Sequence, residues 1–335
     1  MSFSHIVSVS GGKDSTALYL RAMERGLPFT AVFADTGNEH EWTYDYVREL
    51  PARTGGPEIA WVRADFTQKL AAKRAYVLSR WPAEGVPDSK VEKALALLQP
   101  TGVPFLDLCL WKTRFPSSKT RFCTDELKIA PMFLAMQKPL LQAGQTLISW
   151  QGVRREESLA RSGLPRLQRI NPVPLSFSKA ERDIGETWKA YAYRPLIEWT
   201  TAQVFSFHTR HGVPWNPLYD AGMGRVGCMP CIMCKKSEMR AIAERFPDHI
   251  DRIEGWEALV SDVSKWGRST FFSVTDDPIL ADGWDQEGYD WSLSRTGIRS
   301  RVEWSRTSRG GRQYDGLALM KADFNTSCNE WGACE

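Results

Sequence analysis

Ser10-Gly11-Gly12-Lys13-Asp14-Ser15 follows directly on an apolar stretch containing Ile6, Val7 and Val9, and its reading decides the fold. The order is strand, glycine loop, helix, with the helix expected from Ser15 through Met23. Two glycines let the backbone approach an anion with no side chain in the way. The amides opening the helix then point at that anion, and the helix dipole favours its negative charge. Lys13 adds a movable point charge, and Ser10 and Ser15 add hydroxyl donors. The loop reads as a pyrophosphate cradle, against the bland alternative of a glycine-rich turn before a helix. It is neither the Gly-x4-Gly-Lys-Ser/Thr nucleotide loop nor the Gly-x-Gly-x-x-Gly dinucleotide fingerprint.

Outward from the loop, apolar runs alternate with helical periodicity. Strands are expected at 29–34 and 59–62, and helices at 41–50 and 67–79. Such alternation implies right-handed βαβ units and a parallel, doubly wound sheet. Ligands on these sheets bind at the carboxyl ends of strands, where both the glycine loop and Asp35 fall. Prolines at 82, 87, 100, 104 and 116 break the pattern, so about 81–121 reads as a partly helical insertion covering the site. The pattern resumes with a helix at 124–136, a strand at 146–153 and a helix at 200–210 opened by Thr200 or Thr201 as cap. The polar stretch 162–179 reads as a mobile loop. Domain limits are expected at 1–261 for the nucleotide-binding part and 262–335 for an irregular C-terminal region with a basic tail.

Composition narrows the class. The chain has 335 residues, 42% hydrophobic and 25% charged, which suits a globular protein with a large core. Its net charge of +3 is too small to argue nucleic-acid binding by itself. No apolar run approaches the roughly 18 residues of a membrane span. The stretch before the glycine loop is too short for a signal peptide, so a cytoplasmic location is expected.

Seven cysteines in such a chain point to metal binding or reactivity rather than disulfides. Cys228, Cys231 and Cys234 form C-x2-C-x2-C. Three thiolates this close can hold three corners of a [4Fe–4S] cluster, with the fourth ligand from elsewhere. Cys123, at the mouth of an expected helix, is the candidate. Zinc sites more often pair two C-x2-C knuckles, and there is no second knuckle; zinc and uncoordinated thiols stay as alternatives. Cys109 sits among leucines and reads as a core thiol. Cys328 and Cys334 are either ordinary terminal cysteines or thiols on a tail that reaches the active site.

Together these motifs resemble the phosphoadenylyl-sulfate (PAPS) reductase family of the PP-loop ATP pyrophosphatase superfamily, whose fold is Rossmann-like. Gly152-Val-Arg154-Arg-Glu-Glu-Ser158-Leu-Ala-Arg161 is similar to the family's Gly-Ile-Arg-x-x-x-Ser-x-x-Arg segment. There the arginines hold sulfate or phosphate, as guanidinium geometry suits. Arg194-Pro-Leu-Ile-Glu-Trp199, His211-Gly-Val-Pro-Trp-Asn216-Pro-Leu-Tyr219-Asp220 and Gly227-Cys228-x-Pro-Cys231 also match. The resemblance covers about residues 5–240.

Two departures matter. The family's assimilatory reductases usually lack the loop lysine, because their substrate is already activated, and they end in a Cys-Gly-Ile/Leu-His tail. This chain has Lys13 and lacks that tail. It looks more like the ATP pyrophosphatases of DNA phosphorothioation (the Dnd/Ssp type). The resemblance implies ATP with Mg²⁺ cleaved to AMP and pyrophosphate so that sulfur can replace an activated oxygen. Ser10, Gly11, Gly12, Lys13, Asp14, Ser15, Asp35, Gly152, Arg154 and Arg161 would bind the nucleotide, with Lys13 and Arg154 catalytic and a cysteine desulfurase as sulfur donor. The alternatives are PAPS or APS reduction with Cys334 attacking sulfur, an ATP sulfurylase-like activity, or a non-catalytic nucleotide sensor. Arg295, Arg299, Arg301, Arg306, Arg309 and Arg312 crowd around Trp304 and Tyr314. They read as a possible nucleic-acid surface, against a solvated basic face, a partner-docking segment or simple disorder.

Overall fold

The structure is a computed structural model that describes residues 2–272 and 296–308. Its contacts divide the chain into two compact units. One contains Met1–Ala64 and Arg121–Cys228; the other contains Asp65–Thr120 and the described residues from Met229 onward.

The first unit is built on a six-stranded sheet: β1 (Phe3–Ser8), β2 (Phe29–Asp35), β3 (Ile59–Arg63), β4 (Thr146–Trp150), β5 (Leu167–Arg169) and β6 (Ala190–Tyr193). The order is β3-β2-β1-β4-β6-β5, and every pairing is parallel except that of the edge strand β5 with β6. From β1 the chain steps outward one way through β2 and β3, then returns to place β4 on the other side of β1. The reversal leaves a crevice at the carboxyl ends of β1 and β4, the place where such sheets bind ligands.

Strand periodicity of two explains the two cores. Val7, Ala31 and Phe33 point to one face and pack with Ala17, Leu18 and Leu20 of α1 (Lys13–Glu24), Val47 and Leu50 of α2 (Glu41–Thr54), and Val204 and Phe207 of the helix Thr201–Arg210. Their neighbours Ile6 and Val32 point the opposite way, with Leu147, onto Met132, Phe133 and Leu141. Both faces are covered, which is why these strands read as nearly unbroken apolar runs. Truncating a fully buried member such as Leu18 to alanine would cost about 2–5 kcal/mol.

The helix expected at 124–136 is longer and less regular. Helical turns run from Phe122 to Gln142, interrupted by the wider π turns Asp125–Ile129 and Phe133–Gln137. β4 stops at Trp150, three residues before the expected limit, so that Gln151 to Arg154 serve as loop. The polar stretch 162–179 is not simply loop: Leu167–Arg169 adds the antiparallel edge strand. The helix at 201–210 is capped as the sequence suggests, with Thr200 Oγ1 accepting from the Gln203 amide at 3.2 Å and the Gln203 side chain accepting from the Thr200 amide at 2.8 Å.

The second unit is helical. α3 (Thr67–Arg80), α4 (Asp88–Leu97) and α5 (Pro104–Lys112) pack together, and α4 and α5 also pack on Pro247–Val263. Phe105 of α5 stacks on Trp256 at 5.8 Å. The interruption read at 81–121 thus begins earlier, at Asp65, and belongs with residues beyond 229. The expected boundary at 261 falls inside the helix Pro247–Val263.

The C-terminal region is not irregular throughout, because Ile298–Arg306 is a helix packed on Lys236–Arg245 and Pro247–Val263. Arg299 pairs with Asp251 and Glu254, Arg306 pairs with Glu303, and the Arg301 guanidinium lies 5.8 Å from the Trp304 ring centroid. Those arginines form part of a folded surface. Arg295, Arg309, Arg312, Tyr314, Cys328 and Cys334 lie outside the described residues. No helix among the described residues is long and apolar enough to cross a membrane.

Candidate functional site

The glycine loop leaves β1 at the sheet's reversal point and enters α1. Gly11 has φ +80°, a left-handed conformation, and a Cβ there would meet Thr43 Cγ2 at 2.8 Å. Only glycine fits both constraints. Gly12 is the N-cap of α1 and can offer no side-chain cap. The loop is instead closed by hydroxyls: Ser15 Oγ accepts from the Ser10 amide at 3.0 Å and donates to the Gly12 carbonyl at 3.0 Å. The first turn of α1 carries one carboxylate, Asp14, beside Lys13.

Lys13 and Asp14, the first residues of that helix, are buried. Lys13 Nζ donates to Asp14 Oδ2 at 2.8 Å and lies 5.5 Å from the Tyr219 ring centroid. The Lys13 amide donates to Tyr219 Oη at 2.9 Å, so Tyr219 holds both ends of this residue. The Lys13 carbonyl meets His208 Nε2 at 2.8 Å. Burial pulls the pKa of His208 down, a pull only partly opposed by that hydrogen bond, which keeps the ring neutral and donating from Nε2. Asn216 supports the loop from behind, donating to the Gly11 carbonyl at 3.2 Å and to Thr43 Oγ1 at 3.3 Å.

The loop after β4 closes on the same helix. A Cβ on Gly152 would lie 3.3 Å from the Asp14 carbonyl carbon and 3.4 Å from the Ser15 nitrogen, so glycine allows backbone to approach backbone. Two residues on, Arg154 is buried and donates from Nε to Asp14 Oδ1 at 2.6 Å. Burial lowers its pKa, but the charges of Asp14 and Glu157 outweigh this and raise it. Arg161, also buried, pairs with Glu157. Both arginines thus have carboxylate partners, and Arg154 acts on the loop through Asp14.

Asp35 ends β2. It accepts from the Gly37 amide at 2.8 Å and from the Tyr44 hydroxyl at 2.9 Å, forming a tight turn. Tyr44 also donates to Glu39 at 3.0 Å. Burial, then the charges of Glu39 and Asp35, push the Tyr44 pKa far up, so it remains a donor. Glu39 is buried; it accepts from the amide and hydroxyl of Thr36, and the Cys228 thiol donates to it at 3.7 Å. Glu39 and Cys228 are also bridged through their backbones. Ser10, Ser15, Glu39, Lys128, Gly152 and Gly227 line one cleft at the carboxyl ends of the strands.

Of the expected cluster cysteines, Cys123 and Cys228 belong to the sheet unit and Cys231 and Cys234 to the helical one. All four are partly exposed and outside any disulfide, whereas Cys109 is fully buried in α5. The Met233 amide donates to Cys231 Sγ at 3.4 Å. Donor chemistry of this kind fits an iron–sulfur group.

Sequence reading singled out the loop, Gly152 and the arginines. It missed the supporting roles of Glu39, Tyr44, His208, Asn216 and Tyr219. The matched motif containing Asn216 and Tyr219 was the available signal; Glu39 and Tyr44 left none beyond their closeness to Asp35.

The class is an α/β protein whose glycine loop enters α1 at the reversal point of the sheet. Residues 4–234 match the phosphoadenosine phosphosulfate reductase domain, and the chain belongs to that family. It is similar to an uncharacterized 37.8 kDa protein in the gpa 5′ region of Escherichia phage 186, at 43% identity over 99% of this chain and 96% of that protein. It is also similar to the adenosine 5′-phosphosulfate reductase of Bacillus pumilus, at 31% identity over 28% of this chain and 34% of the reductase. It spans under half the length of two archaeal relatives from Methanocaldococcus jannaschii. The crystal structure of PAPS reductase from Candida auris in a phosphate complex aligns at 18% identity with a TM-score of 0.37, over 68% of this chain and 82% of that one.

Proposed function

We propose that the protein binds ATP in the glycine loop and cleaves it between the α- and β-phosphates, activating an acceptor oxygen for replacement by sulfur, as in DNA phosphorothioation. The observation that carries this is Lys13 in the first turn of α1, directly after the glycine loop. The acceptor oxygen attacks the α-phosphorus, the bond to the bridging oxygen breaks, and pyrophosphate leaves with the electron pair. Lys13 and the positive end of the α1 dipole stabilise the charge growing on that leaving group. Mg²⁺ bound with the nucleotide would supply further neutralisation of that charge. The terminal sulfur of a persulfide on a cysteine desulfurase then attacks the activated centre as AMP leaves, and a second thiol cleaves the S–S bond, leaving the sulfur on the acceptor and a disulfide on the thiols.

Asp14 holds Lys13 and Arg154 in register, and His208, Asn216 and Tyr219 fix the loop backbone. Cys123, Cys228, Cys231 and Cys234 would hold a [4Fe–4S] cluster, which when bound would supply sulfur-rich, redox-capable chemistry. Three of these thiols lie in a run of seven residues, which favours a cluster over zinc.

A second reading is reduction of PAPS or APS, favoured by the likeness to adenosine 5′-phosphosulfate reductases. It needs a thiol to attack the substrate sulfur, and Cys334 is the candidate. Incubating anaerobic protein separately with ATP, PAPS and APS decides between them. AMP and pyrophosphate from ATP support the first reading; sulfite from PAPS or APS without ATP turnover overturns it.

A further inference from the structure

The helical unit carries a cationic face that the glycine loop does not explain. α3 contains Lys69, Lys73, Arg74 and Arg80 and no acidic residue. Lys69, Lys73, Tyr76 and Arg80 follow one another at spacings of four, three and four, which places them in one stripe. Leu70 and Val77 are buried on another face, and Arg74 leaves the stripe to donate to the Leu95 carbonyl of α4. At a rise of 1.5 Å per residue the stripe is about 16 Å long, with its lysines about 6 Å apart along the axis.

α5 widens this face. Lys69 Nζ lies 4.3 Å and Lys112 Nζ 3.8 Å from the Trp111 ring centroid, and Trp111 stacks on Phe66 at 5.8 Å. Lys73 Nζ lies 5.1 Å from the ring of Tyr76, which is 45% exposed. Aromatic faces thus hold three ammonium groups in place, which reduces the entropy lost when they meet an anion. Among the described residues neither Lys73 nor Arg80 pairs with a carboxylate. Like charges four residues apart repel on a helix, and an anionic chain laid along the stripe removes that repulsion.

We propose that the α3–α5 face binds a single-stranded nucleic acid, with phosphates along Lys69, Lys73, Arg80 and Lys112 and a base against Tyr76. Alternating cations and rings suit this ligand, because the cations track the backbone and every base has a face to stack. The inference names the chemical class of the sulfur acceptor and rests on the preceding reading to that extent; the binding itself does not require ATP.

The test is fluorescence anisotropy of the full-length protein, without ATP, with a labelled single strand of about 12 nucleotides. Four phosphate contacts give a log–log salt slope of about −3. Lys69→Glu/Lys73→Glu should weaken binding about tenfold or more, Lys69→Gln/Lys73→Gln should weaken it less, and both should keep the wild-type circular dichroism. Arg299→Glu/Arg306→Glu, on the C-terminal helix, should bind as wild type. No binding at low salt, a flat salt response, or unchanged binding by the α3 variants would overturn the proposal. So would tighter binding of duplex, or equal competition by polyglutamate, which would indicate an acidic protein partner. AMP formation is measured separately, so loss of oligonucleotide binding with intact ATP cleavage removes this inference alone.

Discussion

Arg154 Nε donates to Asp14 Oδ1 at 2.6 Å and so ties the loop after β4 to the first turn of α1. Asp14 has no solvent exposure, and its other oxygen receives Lys13. One buried carboxylate therefore aligns two cations that come from opposite sides of the sheet's reversal point. Leaving either partner of a buried pair uncompensated is expensive. Asp14→Ala should lower the unfolding free energy by about 3–5 kcal/mol, measured in urea, and should loosen nucleotide binding. Arg154→Met should cost a similar amount, and the double variant should cost much less than their sum. Additive losses would show that the pair does not act as a unit.

Lys13→Ala tests the chemistry with less disturbance of the fold. AMP and pyrophosphate formation should fall by about a hundredfold or more, on the scale of losing one preorganised charge-stabilising donor. Unchanged turnover measured by pyrophosphate release would remove Lys13 from the mechanism.

Gly152→Ala and Gly11→Ala probe two different constraints. At Gly152 the new Cβ presses on backbone atoms of Asp14 and Ser15 at 3.3–3.4 Å. At Gly11 it meets Thr43 Cγ2 at 2.8 Å on a residue with φ +80°. Each should destabilise by about 1–3 kcal/mol, Gly11→Ala the more, because it adds backbone strain to the clash. Thermal melts of both variants with and without nucleotide check the order.

Cluster ligation is testable by composition. Anaerobic protein should contain about four irons per chain, Cys123→Ser should lose or destabilise them, and Cys109→Ser should not. Stoichiometric zinc in protein prepared without oxygen would overturn the assignment.

Glu257 sets a pH dependence in the helical unit. Burial pushes its pKa from 4.5 up to about 7, despite amide donors from Phe271 and Ile298. Between those values the folded state keeps a proton that the unfolded state has released, so stability falls as pH rises through the window. The loss is complete above about pH 7 and amounts to at most ~3 kcal/mol. Glu257→Gln should lose this slope and be the more stable form at pH 8. Identical slopes in urea titrations at pH 5, 6, 7 and 8 would refute it.

Much of the sheet unit was legible in the chain itself. β1 to β3 and the helices between them are local patterns: apolar runs of strand length, glycine at the turn, helical spacing afterwards. The glycine loop carries its own geometry, since Gly11 at φ +80° specifies backbone that other residues rarely adopt, and Gly152 with Arg154 was legible as a motif. What the sequence alone determined was therefore the alternation, the glycine loop between β1 and α1, and the family. Tertiary structure decided the rest, because the deciding contacts join residues far apart in the chain. Asp14 meets Arg154 and Lys13 meets Tyr219 only after the sheet places β4 beside β1 and brings the following segments back over α1. The helices α4 and α5 pack with Pro247–Val263 because each has an apolar face that its own stretch of chain cannot bury, and no local pattern names the partner. The arginines of Ile298–Arg306 look like a free basic tail in sequence; folding sets Arg299 against Asp251 and Glu254, whose positions only the packed helices define.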